Sequence, residues 1–261
     1  MSVYFKLSLA YLRGQMQHRG SFAMSVTRNL ISSVGDALRL VLLGVSFGAM
    51  GRWTGAQIAV LYGIITISFA VASALGAGLF SFSGVIRRGD FDRVLLRPCG
   101  TLTQVLGAKF DLTRFGRLTT GVVGLAWGIA RLDTPFGAAQ AAMTALCVFS
   151  GVLLFLGILM IQGGTCFWTV EGMEAFNAVT YGGVAMASYP LEVYKGWLRD
   201  LFLYVIPLGC LNYLPCAVLF GKTLPYPLFT AYLAPVAGGA YLALGLLVWR
   251  TGVRRYRSAG A

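Results

Sequence analysis

Few residues of this chain could perform chemistry. The only histidine, His18, has no cysteine or carboxylate near it, and a lone imidazole makes neither a zinc site nor a catalytic dyad. The five cysteines form no CxxC pair, and free cysteines in apolar runs behave as small hydrophobic residues. The sequence contains no phosphate-binding loop, GxSxG, HExxH or dinucleotide fingerprint. We therefore expect a chain that is not an enzyme, with no catalytic residue, cofactor or metal ion of its own.

One pair of opposite charges lies inside an apolar run. Asp36 and Arg39 are three positions apart within residues 29–50. Charges inside a membrane usually mark function, but residues three apart on a helix also share a face and can neutralise each other. Two roles therefore stay open for this candidate intramembrane pair, a structural ion pair and the lining of a transport path.

The loop at residues 84–98 has a two-faced pattern. Phe91, Val94 and Leu95 fall on one helical face, and Gly89 and Pro98 mark the ends of the segment. The pattern predicts an amphipathic helix with two candidate roles. It could ride the membrane interface with snorkelling arginines, or it could dock a cytoplasmic partner through apolar anchors and a basic rim. The candidate docking residues are Arg87, Arg88, Asp90, Phe91, Arg93, Val94, Leu95 and Arg97.

Composition indicates which elements must position this loop. The 261 residues are 57% hydrophobic and 11% charged, with a mean hydropathy of +0.74, whereas soluble domains carry about 25% charged residues. The fold class is therefore an all-α polytopic membrane protein. The net charge of +12 fits the Lys and Arg excess of cytoplasmic loops better than nucleic-acid binding.

Apolar runs near 20 residues long predict a single membrane domain over 1–261. Residues 1–28 are predicted to form an interfacial amphipathic helix, because Phe5, Leu9, Leu12 and Met16 recur at helical spacing. Six transmembrane helices are predicted to follow it. If both termini are cytoplasmic, inner segments hold 17 basic residues and outer loops hold 3, which supports this orientation. The predicted spans are 29–50, 57–80, 111–130, 136–162, 201–220 and 229–249.

Two further segments interrupt the simple pattern. Residues 170–197 carry three glutamates and a lysine among apolar residues, which predicts a helix in the inner interface broken at Pro190. Residues 213–227 contain three prolines around a short apolar run, which predicts a broken or re-entrant segment at the outer surface.

Several sequence blocks resemble one known family. Residues 86–98, read as IRRGDFDRVLLRP, together with the blocks at 167–178, 187–194 and 205–215, are similar to an uncharacterised branch of the ABC-2 class of ABC transporter permeases. The six predicted spans and the helix between spans two and three agree with that resemblance.

The resemblance implies a function that the residues alone do not. It implies the membrane subunit of an ATP-driven exporter, with both termini cytoplasmic in a bacterial inner membrane. Separate ABC ATPase subunits would bind ATP and Mg²⁺ and dock at residues 84–98. A second permease would complete the path, with a heterodimer favoured over a homodimer. The alternative function is a non-transport membrane scaffold, in which residues 87–98 only ride the interface.

Overall fold

The computed structural model describes residues 52–109, 113–133, 135–169, 173–223 and 226–257, the pair Ala49 and Met50, and five isolated helical positions before them. The predicted interfacial helix over 1–28, most of the predicted first span, and the Asp36–Arg39 pair lie outside the described residues.

The described part of the chain is mainly helical. A two-residue antiparallel ladder joins β1 (Ala49–Met50) to β2 (Trp53–Thr54). The helices that follow are α1 (Gly55–Leu75), α2 (Phe82–Arg87), α3 (Phe91–Leu95), α4 (Thr101–Gly107), α5 (Thr113–Ala130), α6 (Ala138–Thr165), α7 (Met173–Ala187), α8 (Gly196–Asp200), α9 (Leu208–Leu211), α10 (Tyr213–Leu219) and α11 (Ala234–Arg255). Short 3₁₀ turns cover Leu79–Ser81, Leu191–Val193 and Leu228–Tyr232, and a π turn covers Leu201–Val205.

Helix α6 packs against α1 on one side and α11 on another, and all three run in the same direction. Glycines allow the close approach: a Cβ on Gly238 would lie 2.4 Å from the Ser150 carbonyl oxygen, and one on Gly245 would lie 2.6 Å from the Gly157 carbonyl oxygen. The equal seven-residue steps on both helices show a parallel pair. Small residues at such seams let membrane helices pack backbone to backbone.

Within the part of the chain that the structure describes, three helices are long and apolar enough to cross a membrane, namely α1, α6 and α11, and a bent helix pair over Gly196–Leu219 could form a fourth crossing. They correspond to the predicted spans over 57–80, 136–162 and 229–249, with ends shifted by a few residues. Helix α5 packs antiparallel on α1, although its first turns contain Arg114 and Arg117.

The predicted span over 201–220 is not one straight helix. Residues Gly196–Val205 and Leu208–Leu219 form two helical pieces that meet at an angle of 70°. Pro207 stands at the break, where it has no N–H to donate and its ring prevents the helix from continuing.

Helix α7 does not lie across the end of the bundle as predicted, but runs along it. Near its start, the Gln162 Nε2 atom donates to Asn177 Oδ1 at 2.9 Å, beside the last turn of α6. At its other end, Asn212 Nδ2 donates to the carbonyl oxygens of Ala187, at 2.7 Å, and Leu61, at 3.0 Å. Leu61 belongs to the second turn of α1. This helix therefore extends along the bundle, and it ends before Pro190 as predicted.

Residues that follow α7 gather where α1 begins, which we call the Trp53 end of the bundle. The Tyr213 ring lies 5.6 Å from the Trp53 ring, and its hydroxyl donates to Glu192 Oε1 at 2.8 Å. Lys222 Nζ donates to the Arg52 carbonyl oxygen and stands 4.8 Å from the Trp53 ring centre. Desolvation lowers the pKa of Lys222, and the nearby positive charge of Arg52 lowers it further, whereas the negative charge of Glu192 partly raises it. The opposite end, where α6 and α11 finish, is called the Trp249 end.

Candidate functional site

Helices α2, α3 and α4, with the turns between them, form a folded segment at the Trp249 end, called the coupling segment (82–107). Helix α2 stops in a tight turn in which Asp90 N donates to the Val85 carbonyl at 3.0 Å and Gly89 N donates to the Ile86 carbonyl at 3.1 Å. Gly89 has a φ of +70°, which glycine adopts without steric cost. The loop over 84–98 therefore contains the end of α2 and, after this turn, helix α3. Helix α3 begins after Gly89 and ends before Pro98, as the sequence indicated.

Phe91 is the centre of an aromatic cluster. Its ring lies 4.9 Å from Tyr256, 5.1 Å from Phe167 and 5.5 Å from Phe82, all near edge to face. The Trp249 ring joins the same cluster, 4.9 Å from Phe82. Phe91 has no exposed surface. The prediction that Phe91 fills a groove in a partner is therefore wrong, because this side chain belongs to the core of its own chain.

Helix α4 fastens the coupling segment to the bundle. The buried Gln104 donates from Nε2 to the carbonyl oxygens of Val94, at 3.0 Å, and Cys99, at 2.9 Å, which closes the turn between α3 and α4. Trp249 Nε1 donates to Thr101 Oγ1 at 3.3 Å, which ties α4 to α11. The segment is thus held through polar as well as aromatic contacts.

The end of α11 also contacts α3. Burial raises the pKa of the Tyr256 hydroxyl, and the nearby Asp92 carboxylate raises it further by hydrogen bonding and by its charge. Tyr256, the residue after α11, therefore lies against α3 at both Phe91 and Asp92 and links the end of α11 to the coupling segment.

The outward face of the coupling segment is basic and carries two leucines. Leu96 is 85% exposed and Leu95 is 45% exposed. Asp90 accepts a hydrogen bond from Arg88 Nε at 2.8 Å, and Val94 is half buried against the aromatic cluster. The other members of this face share exposure and positive charge: Arg87, Arg88, Arg93 and Arg97.

Leu96 was not predicted as a functional residue. The sequence pattern put Phe91, Val94 and Leu95 on one outward apolar face, whereas Phe91 and Val94 turn into the bundle and only Leu95 is exposed. Leu96 follows the last residue of α3 and projects from the turn instead. The run Leu95-Leu96 between Arg93 and Arg97 was the signal in the sequence that could have singled out Leu96 as a candidate.

Among the residues that the structure describes, no three of the His, Cys, Asp and Glu side chains are close enough together to hold a metal ion. The outward face of the coupling segment consists of guanidinium groups and leucine side chains.

Comparison with known proteins identifies the family. Residues 30–260 match a family model described as ABC-2 family transporter protein. Comparisons with curated proteins and with solved structures returned no match. Proteins of this family are multi-pass membrane permeases of ABC transporters, and they associate with ABC ATPases. Because the match covers almost the whole chain, this chain belongs to the ABC-2 family of transporter permeases.

Proposed function

We propose that this permease is the membrane subunit of an ATP-driven exporter in a bacterial inner membrane, and that the outward face of its coupling segment docks a separate ATPase. ATP and Mg²⁺ belong to that ATPase. A second permease, different from this one in the favoured arrangement, completes the transport path.

The observation that carries the docking proposal is the composition of the exposed face. Leu95 and Leu96 stand in solvent between Arg93 and Arg97. Apolar anchors that become buried dominate the free energy of most interfaces, and each hot spot contributes about 2 kcal/mol or more. Exposed rim ion pairs contribute about 0–1 kcal/mol each. We therefore infer that the leucines supply affinity and that the arginines select an acidic partner surface.

The inward face supports a mechanical role for the same segment. Phe91 contacts Phe167, which follows α6, and Tyr256, which follows α11. A displacement of the outward face would therefore be transmitted to the ends of α6 and α11, which pack against each other along their length. ATPase closure would bias the bundle between two arrangements, as a ligand biases any two-state protein.

The membrane orientation follows from this docking proposal. With the coupling segment in the cytoplasm, the Trp53 end faces outward. Helix α7 then replaces 201–220 as the fifth of six crossings, and both termini stay cytoplasmic. Residues 188–232 form a broken segment at the outer face. The revised arrangement puts 15 basic residues inside and 5 outside, which still agrees with the positive-inside rule.

Co-purification with the ATPase tests the docking proposal. The variant Leu95→Ser, Leu96→Ser removes both anchors, and Trp197→Ala, which changes a residue 70% exposed near the Trp53 end, is the matched control. A loss of about 2 kcal/mol is roughly 30-fold in affinity. We expect that loss or more in the double variant and none in the control. Undiminished co-purification of the double variant would move docking elsewhere and favour the scaffold function.

A further inference from the structure

Two arginines flank one tyrosine ring inside the helical bundle. The Arg114 Nη1 atom is 3.4 Å from the Tyr181 hydroxyl, and its Cζ atom lies 4.7 Å from the Phe80 ring centre. The Arg117 Cζ atom lies 5.7 Å from the Tyr181 ring centre and 5.2 Å from that of Phe69. We call these five residues the arginine–aromatic site. Three helices, α1, α5 and α7, contribute to it, so it is a product of the tertiary fold.

The Phe69 and Tyr181 rings of the site lie away from the ends of α1 and α7. Phe69 is fully buried and stands six residues before the end of α1, which is about 9 Å along the helix axis. Arg117 contacts this ring. One turn further along α5, Gly121 packs directly against Ile67. The Arg117 guanidinium is thus about one and a half helical turns before the end of α1, where a charged side chain in a membrane is costly unless a partner compensates it.

The described carboxylates do not supply that compensation to Arg117. Asp90 pairs with Arg88, Glu192 with the Tyr213 hydroxyl and Asp200 with Arg199. Asp92 lies beside Tyr256, and Asp133 follows the opposite end of α5. The Nη1 atom of Arg117 is shielded from solvent and donates to no acceptor in the described structure. Aromatic faces stabilise a guanidinium by only about 0.5–2 kcal/mol, and they leave its hydrogen-bond donors free.

We propose that the arginine–aromatic site binds an oxyanion, a phosphate or carboxylate, carried by an amphiphilic molecule. Guanidinium groups present planar forked donors that match oxyanions, and Arg117 has such a donor unused. The surrounding rings of Phe69, Phe80 and Tyr181 offer an apolar surface to the attached tail. Tyr181 is 38% exposed, so the site opens to the outside of the subunit.

This inference extends the proposed function and rests on it, because an anionic amphiphile is a meaningful ligand here only if the chain is a transporter subunit. In a transporter, the site would receive an anionic amphiphile from the cytoplasmic half of the membrane. The same chemistry has two sources, the headgroup of a resident anionic lipid and the anionic group of a cargo. Binding of either molecule requires Arg117. The experiment therefore first measures how anion binding depends on Arg117 and then distinguishes a lipid from a cargo.

Thermal stability of the purified permease measures binding without any ATPase. The probe is dodecyl phosphate added to protein in dodecyl maltoside, with dodecyltrimethylammonium as the charge control and inorganic phosphate as the tail-less control. The variants are Arg117→Gln and Arg117→Lys. The matched control is Arg131→Gln, because Arg131 is also stacked on an aromatic ring, that of Trp127 at 5.9 Å, but lies at the other end of α5.

We expect dodecyl phosphate to stabilise the unchanged protein and Arg131→Gln at the same concentration. Arg117→Gln should need at least a tenfold higher dodecyl phosphate concentration for the same stabilisation. Arg117→Lys should need an intermediate concentration, since an ammonium group keeps the positive charge but loses the forked donors of a guanidinium. An equal response of Arg117→Gln and the unchanged protein would overturn the proposal. Equal stabilisation by the cationic amphiphile or by inorganic phosphate would overturn it as well.

Native mass spectrometry of protein from mixed phosphatidylglycerol and phosphatidylcholine nanodiscs then separates the sources. Phosphatidylglycerol retained by the unchanged protein and lost from Arg117→Gln identifies a lipid site. Equal retention by both proteins, with the dodecyl phosphate response still dependent on Arg117, identifies a site for cargo. Neither measurement involves the ATPase, so a failure of docking and a failure of this site are distinguishable.

Discussion

Replacing Phe91 by alanine should destabilise the permease itself. Phe91 is fully buried, and its ring meets those of Phe82, Phe167 and Tyr256 at 4.9–5.5 Å. Each edge-to-face pair is worth about 0.5–1.5 kcal/mol beyond burial. Loss of the pairs, of burial and of the filled volume puts the cost of Phe91→Ala at about 3–5 kcal/mol. Leu96→Ala is the matched variant, because an 85% exposed side chain contributes within about 0.5 kcal/mol to stability.

The assay follows unfolding in detergent and ATPase co-purification for both variants. Phe91→Ala should lower the unfolding midpoint clearly, whereas Leu96→Ala should keep the midpoint and lose affinity for the ATPase. The reverse pattern, a stable Phe91→Ala protein that has lost the ATPase, would refute the reasoning. It would mean that Phe91 projects into the partner and that the aromatic cluster does not hold the coupling segment.

Three other predictions concern the bundle. Gly238→Ala should lower the thermal unfolding midpoint by several degrees, because its Cβ would lie 2.4 Å from a carbonyl oxygen of α6. Gly239→Ala has open space around its Cβ and should leave the midpoint unchanged, and equal effects of the two variants would contradict the parallel α6–α11 packing. Asn212→Ala should cost about 1–3 kcal/mol, since it removes two buried hydrogen bonds to carbonyls of α1 and α7, and unchanged unfolding would show that these bonds are absent. In cells, Lys195→Cys should react with an impermeant thiol reagent from outside and Arg93→Cys only after permeabilisation; inside-only labelling of Lys195→Cys would reverse the assignment of α7 as a crossing.

The sequence was sufficient to predict the long helices of the bundle. Helices α1, α6 and α11 come from continuous apolar runs, and such runs need no knowledge of neighbours. Helix α7 was placed differently because it is only 15 residues long, contains Glu174 and follows Glu171, which made it resemble an interfacial segment. Its true position depends on Asn212, which bridges it to α1 from 25 residues further along the chain.

The sequence singled out the segment between α1 and α5 as a two-faced element, but it did not show that Phe91 points into the bundle. A helical projection shows which residues share a face and leaves open which way the face points. The aromatic rings that cover Phe91 come from Phe167 and Tyr256, which are distant in sequence, so only the tertiary structure could show that the apolar face points inward. The same reason hid Arg117, whose aromatic partners belong to α1 and α7.

Site-specific photo-crosslinking in membranes tests most directly whether the coupling segment docks the ATPase. A photoreactive residue placed at Leu96 should crosslink to the ATPase in cells that express the whole transporter, and the same residue placed at Lys195 should not. Absence of an ATPase crosslink from Leu96, with one appearing from Lys195, would contradict both the docking surface and the orientation of the bundle.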